Sequence, residues 1–317
     1  MMSVKPTKGS AGGVVLILLT LLGWSSVPLF LKYFAAYIDA WTANGWRYGI
    51  SALFWAPVLV WGAWRRTLPA GLWAAALVPS LFNVAAQICF AWAPYYINPG
   101  LITFLLRLQI VFVALGAYLL FPAERPVLRS LTYVCGVVIV FCGLMGLCFL
   151  GETLPRGATA WGVGLAITAG FLYGGYSLAV RRYVHDISPV VAFATISLYT
   201  AVGVVSVMLV KGRDHGAVAW SLNWKQFGML VASAFVGIAI GHVMYYSAIV
   251  RIGVALSNGV ILLQPFITST CSYFLFDERL TIAQWLSGLT AMVGAVIMLN
   301  TQRRLTRLAL AKNDGVP

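Results

Sequence analysis

Arg107 is a lone cation about one-third of the way along an apolar run, residues 100–121, and no acid lies inside any such run of this chain. Its planar guanidinium can hold a carboxylate or phosphate through two parallel hydrogen bonds. An arginine at the centre of a membrane-spanning helix costs about 2.5–3.5 kcal/mol on insertion scales, which disfavours exposure to lipid. At helical spacing Gly100, Thr103, Ile110, Ala114 and Tyr118 share its face. Two other readings stand beside the binding one: an arginine bonded to backbone carbonyls, or a side chain snorkelling outward. For Arg47, nearer the end of its own run, snorkelling is the expectation.

His242 is the only histidine inside an apolar run; His185 and His215 fall in connections. Its ring is the one side chain there that titrates near neutrality. Asn83 and Gln87 are four residues apart and share a helix face, as do His242 and Tyr246. A polar site built from these residues competes with a plain helix–helix hydrogen bond. Gln109 and Gln264 are expected mainly to pack helices together, while Ser257, Gln264 and Thr268 share a face that could line a pathway. Asn258, Pro265, Ser269 and Tyr273 form a face matching that of Arg107. Trp24, Trp92, Tyr173 and Tyr245 lie deep enough in their runs to wall a cavity, although core packing explains them equally. Trp41, Trp61, Trp64, Trp73 and Trp224 fall near run ends, as interfacial aromatics do. The pairs Gly170/Gly174 and Gly237/Gly241 permit close helix approach.

The chemistry missing from the chain is equally informative. All eight Asp and Glu residues fall in loops, tails or helix ends. Buried carboxylates that relay protons in many pumps are therefore lacking, and so is an anion to balance a cationic cargo. No H-E-x-x-H or acid cluster suggests hydrolytic or metal chemistry. The five cysteines sit inside apolar runs and read as small core residues, not as a disulfide framework or metal site. No catalytic residue, cofactor or metal is implied.

These side chains require elements that cross a bilayer. The 317 residues are 61% hydrophobic and 9% charged, too poor in charge for a soluble domain, where about a quarter of residues are charged. Ten apolar runs can be read, approximately 13–34, 41–61, 72–95, 100–121, 131–150, 161–180, 189–210, 227–249, 254–276 and 282–299. About 20 apolar residues make a helix long enough to cross the hydrocarbon. The short alternating segments of a membrane β-barrel are absent, so the fold class is an all-α integral membrane protein with ten transmembrane helices. With ten spans both termini share a side, and that side collects thirteen of the Lys and Arg residues against six opposite. The net charge of +13 therefore reports a cytoplasmic side for both termini, not a nucleic-acid partner. The first run has no small-residue cleavage site and reads as a retained helix. The expected location is the plasma membrane, the inner membrane of a bacterium.

Shifting the second half by 155 positions pairs Leu108 with Leu263, Gln109 with Gln264, Tyr118 with Tyr273 and Phe121 with Phe276. His242 then occupies the repeat position of Gln87. Each half, residues 13–150 and 158–300, holds five runs, with residues 301–317 left as a cytoplasmic tail. An odd number forces the second copy to enter from the opposite face, giving two inverted five-helix repeats, an architecture common in secondary transporters.

Gly23-Trp24-Ser25-Ser26 followed by Lys32, Arg47-Tyr48, and Gln264-Pro265 with Asp277-Glu278-Arg279-Leu280-Thr281 and then Gly288 together resemble the EamA-type transporters of the drug/metabolite transporter superfamily. The resemblance covers roughly residues 13–300. The first repeat departs at Ile110, where the second has Pro265, at the insertion Pro122-Ala123, and at Arg107, whose mate is Leu262. What the resemblance implies is a secondary carrier, a permease or exporter, of a small organic metabolite, working by alternating access between the repeats. The cargo expected from Arg107 is an amino acid or an amphipathic anion. Substrate contacts are expected from Arg107, His242, Gln87, Asn83, Asn258, Thr103, Trp24, Tyr173, Tyr245 and Trp92. The competing classes are an integral membrane enzyme and a channel or scaffold without carrier activity. Partners are the small-molecule substrate and membrane lipid, and a homodimer is compatible with the sequence.

Overall fold

The computed structural model describes residues 11–122, 125–150 and 158–313, without the side chains of residues 158, 250, 254, 255 and 306–313. Among the described residues there is no strand. Ten long helices form the body: α1 (Ala11–Phe34), α2 (Ala40–Trp64), α3 (Leu72–Tyr95), α4 (Pro99–Leu120), α5 (Leu131–Phe149), α6 (Ala158–Tyr183), α7 (Pro189–Lys211), α8 (Trp224–Ile249), α9 (Leu256–Phe276) and α10 (Ile282–Asn313). Nine of them have both the length and the apolarity to cross a membrane. The tenth, α2, has the length, but its composition is diluted by polar groups. Those groups turn inward: Thr42, Asn44, Arg47 and Ser51 are buried, while Leu53, Val60 and Trp64 are exposed. A helix that hides its polar face among its neighbours and shows lipid the other loses its hydropathy signal but not its span. The segment expected as a tail continues α10 as helix to Asn313.

Local signals set the helix ends. Asp39 caps α2, accepting from the Thr42 amide at 3.0 Å and its hydroxyl at 2.7 Å. Asn223 and Gln226 form a reciprocal capping box on α8, and Thr281 and Gln284 exchange equivalent bonds at the start of α10. Pro99 and Pro189 open α4 and α7, where a missing N–H costs nothing.

The principal packing pairs are α5 with α10, α2 with α7, α3 with α6, α1 with α8, α3 with α7, α2 with α8, α4 with α6, α1 with α9, and α4 with α9. Every one joins the first half to the second. The set also maps onto itself when each helix is exchanged for the one five places away, as two symmetry-related repeats require. The α5–α10 contact brings backbone against backbone through glycines: a Cβ on Gly143 would lie 2.4 Å from the Ala291 nitrogen, and one on Gly294 would lie 2.6 Å from that of Val140. Gly237 leaves similar room for Val27, and Gly170 faces the Leu106 carbonyl. Tyr118 and Tyr273 play matching parts at the ends of α4 and α9. Each has an arginine over its ring from the connection that follows, Arg129 and Arg279, both 5.3 Å from the centroid.

Candidate functional site

Among the described residues three helices are interrupted, α4, α8 and α9, and the interruptions in α4 and α9 coincide under the shift of 155. In α4 an α-helical segment ends at Leu105, a 3₁₀ turn covers Leu106–Leu108, and α-helix resumes at Gln109. In α9 the first segment ends at Ile261 and the second starts at Gln264. The shift of 155 superimposes these breaks in sequence. Pro265 accounts for the second, because its ring removes an N–H and crowds the preceding turn. The first has Ile110 at that position; there the Arg107 side chain folds back, its Nε donating to the Thr103 carbonyl at 3.3 Å. Non-helical backbone inside a membrane is tolerated only where protein buries it or a cavity receives it.

Arg107 and Gln264 meet between the two breaks. The arginine Nη2 donates to Gln264 Oε1 at 2.8 Å, and Gln264 Nε2 donates to the Trp24 carbonyl at 2.9 Å. That carbonyl lacks a helical partner because the residue four places on is Pro28. Gln109 makes the mirrored reach, from α4 to Ser177 Oγ at 3.0 Å and toward the Tyr173 carbonyl at 3.4 Å in α6. Each glutamine thus ties the broken helix of one half to the first helix of the other.

Around this core the aromatic side chains close in. His242 lies between Phe193, stacked at 4.7 Å, and Trp24 at 5.2 Å. Its Nδ1 is 3.1 Å from the Ile238 carbonyl, an acceptor, so Nδ1 carries the proton and Nε2 is left with a lone pair when the ring is neutral. Ile238 belongs to a π-helical stretch, Phe235–Ala239, in the middle of α8. Tyr245 packs on Trp24 at 4.9 Å, donates its hydroxyl to Asn258 Oδ1 and neighbours Arg107. The structure therefore gathers Arg107, His242, Trp24, Tyr245 and Asn258 into one group.

A second group surrounds Tyr48: Asn83 and Gln87 from α3 and Tyr173 from α6. Asn83 also donates to Thr200 Oγ1 at 3.0 Å. Gln87, flanked by Tyr48 and Tyr173, answers to His242, flanked by Phe193 and Trp24. In both cases one neighbour comes from the same half and one from the other.

Two expected contacts go elsewhere. Thr103 is fully buried and donates its hydroxyl to the Gly100 carbonyl at 2.8 Å, while its own carbonyl accepts from Arg107. Trp92 finds its ring partners in Trp41, Tyr95 and Tyr96 at one end of α3. Arg47, expected to snorkel, is instead 1% exposed, with its Nε donating to Ser233 Oγ at 3.1 Å. Its signal in the sequence was the Tyr48 beside it, an amphipathic neighbour that is itself fully buried. Phe193 carried no signal beyond its apolarity.

Polar links join helices and connections at one end of the bundle. Lys32 at the end of α1 pairs with Glu278 after α9 at 3.0 Å, and Ser272 donates to the same carboxylate. The Asp39 carboxylate that caps α2 also accepts from the Arg213 amide at 3.1 Å, and Trp46 Nε1 donates to the Gly216 carbonyl at 2.9 Å.

The model of the EamA-like transporter family matches the chain twice, over residues 11–149 and 160–300. The chain is similar to an uncharacterized transporter of Haemophilus influenzae, 24% identical over 207 residues, which span 65% of this chain and 66% of that protein, just under two thirds of its length. It also resembles a solved crystal structure at a TM-score of 0.61, with 17% identity, 92% of this chain covered and 98% of the other, a likeness of fold alone. With the family model covering both halves, this integral membrane protein belongs to the EamA-like transporter family.

Proposed function

We propose that the protein is a secondary carrier of a small organic anion or amino acid, moved by alternating access between two inverted five-helix repeats. The observation that carries the reading is the coincidence of Arg107 with the break in α4, opposite Gln264 at the break in α9. A guanidinium held by one amide and one carbonyl keeps donors for a planar oxyanion, and it sits where the two halves meet. Trp24, Tyr245 and His242 offer ring faces for the rest of the cargo. The symmetric set of packing pairs supports two repeats that rock about the broken helices, and the thirteen-to-six asymmetry of basic residues supports cytoplasmic termini in a bacterial inner membrane.

Flux into proteoliposomes, tested with a panel of anionic, zwitterionic, neutral and cationic metabolites, examines the proposal. The expected result is saturable uptake or exchange of a carboxylate- or phosphate-bearing solute. Transport restricted to cations, or an unsaturable conductance, overturns it.

A further inference from the structure

The π-helical stretch of α8, Phe235–Ala239, is gripped by α2. Within it the Ile240 amide donates to the Phe235 carbonyl at 2.8 Å, five residues back. Such a turn takes one residue more than an α-turn to close, and carbonyls beside it leave the regular ladder. Two of them take side-chain donors. Ile238 accepts from the His242 ring at 3.1 Å, and Ala239 accepts from Trp55 Nε1 of α2, also at 3.1 Å. Trp55 and Ala239 are both buried, so this carbonyl needs a donor from the protein. Just before the stretch, Ser233 Oγ accepts from Arg47 Nε, again from α2, at 3.1 Å.

Gly237 lets the helices come this close: a Cβ there would stand 3.2 Å from Arg47 Nη2 and 2.4 Å from Val27 Cγ2 of α1. Trp55 also reaches the imidazole by a second route. Its ring lies 6.0 Å from Phe193, which stacks on His242 at 4.7 Å. Toward lipid the same stretch is loosely packed. Exposed Val236 and Ile240 border an apolar groove of about 350 Å³ against Leu19, Leu22 and Gly23 of α1. The polar grip on the stretch therefore comes from α2, not from that flank.

We infer that Trp55 is a positioning residue. By holding the Ala239 carbonyl it keeps the additional residue of α8 in place, and it thereby fixes the His242 ring with its proton on Nδ1. Without the indole N–H, the buried carbonyl turns to the amide four residues on, and the π-turn closes. The additional residue is passed to another turn of α8, the Ile238 carbonyl goes to a backbone amide, and the ring loses its acceptor. The use of the Nε2 lone pair, as an acceptor for an N–H or O–H of the cargo, rests on the carrier reading above.

Nitrogen NMR of the reconstituted protein, isotope-labelled at its three histidines, reads the tautomer in mildly alkaline buffer. Protonated and unprotonated ring nitrogens resonate far apart, and His242→Gln assigns the signal. Wild type should show His242 protonated on Nδ1. Trp55→Phe keeps an aromatic ring and removes only the donor; the Nδ1–H form should be lost, with Nε2–H as the main species. Deleting Val236 removes the additional residue, so both flanks of α8 keep their register; the protein should fold, again without the Nδ1–H form. Deleting Ala232 instead, in regular helix, rotates one flank by about 100° and should prevent folding. A wild type protonated on Nε2 overturns the proposal, and so does Nδ1–H retained in Trp55→Phe. If Trp55→Phe does not fold, the Val236 deletion is read in its place. Nδ1–H retained there, or two deletions that behave alike, overturns it. The measurement uses no cargo, so absence of flux in proteoliposomes removes the carrier reading and leaves the positioning of His242 standing.

Discussion

Gln264 donates its side-chain amide to the Trp24 carbonyl, 2.9 Å away, which Pro28 deprives of its helical N–H. A carbonyl left open inside continuous α1 is thus capped by a residue at the break of α9. The glutamine's oxygen is then left to orient Arg107. Gln264→Leu strands a carbonyl and part of a guanidinium, each costing about 1–3 kcal/mol, so the variant should melt well below wild type. Gln264→Glu keeps an acceptor for Arg107 and adds charge, so it should occupy the guanidinium and suppress anion binding. Binding of the anionic cargo by Gln264→Glu at wild-type strength would separate Arg107 from the site.

Arg107→Lys keeps the charge and loses the fork; affinity should fall while some transport remains. Arg107→Leu copies the repeat mate Leu262 and should fold. The lost contact amounts to about 1.5–3 kcal/mol, roughly 10- to 150-fold in affinity for an anionic cargo. Direct binding beside thermal melting checks this. Arg107→Leu that folds and binds the anion normally makes the arginine structural.

His242 offers the only imidazole in the bundle interior among the described residues. With no carboxylate inside a span, any proton linkage runs through this ring, and otherwise transport is facilitated or by exchange. His242→Gln can still donate to the Ile238 carbonyl and should preserve folding, as Gln87 already fills the equivalent position. The expected outcome is a transport rate whose dependence on pH near neutrality flattens. A profile identical to wild type removes the ring from coupling.

Lys32 and Glu278 are both partly exposed, with side chains 28% and 17% accessible, so their pairing contributes at most about 1 kcal/mol to stability. Its effect should appear in transport instead, because it joins α1 to the end of α9, the helices already linked by Gln264 and by Thr268 donating to the Ser25 carbonyl. Glu278→Gln and Lys32→Met should change flux with little change in melting. The exchange Lys32→Glu with Glu278→Lys should restore it. Flux as impaired in the exchanged pair as in either single variant argues against the link.

Periodicity and apolar length made the helices legible, and the shared glutamine made the register legible. The break in α9 could be read from Pro265. That in α4 could not, because it coincides with the Arg107 side chain folding back onto the Thr103 carbonyl of its own helix. Arg47 misled for a related reason. Distance from a run end suggests snorkelling, whereas the room at Gly237 comes from a helix about 190 residues away in sequence. Trp92 and Trp24 are alike as letters, and only their ring partners separate the cluster with Trp41, Tyr95 and Tyr96 from the one with His242 and Tyr245.

Every principal helix pair in this bundle has one member from each half. The halves are therefore complements rather than independent folding units: α5 alone would show lipid the glycine backbone that α10 covers, and α2 alone would show it Arg47. Cutting the chain between Leu150 and Ala158 should give two fragments that are degraded when made singly and assemble when made together. A gene encoding only one such half would have to insert its product in both orientations to make a stable particle.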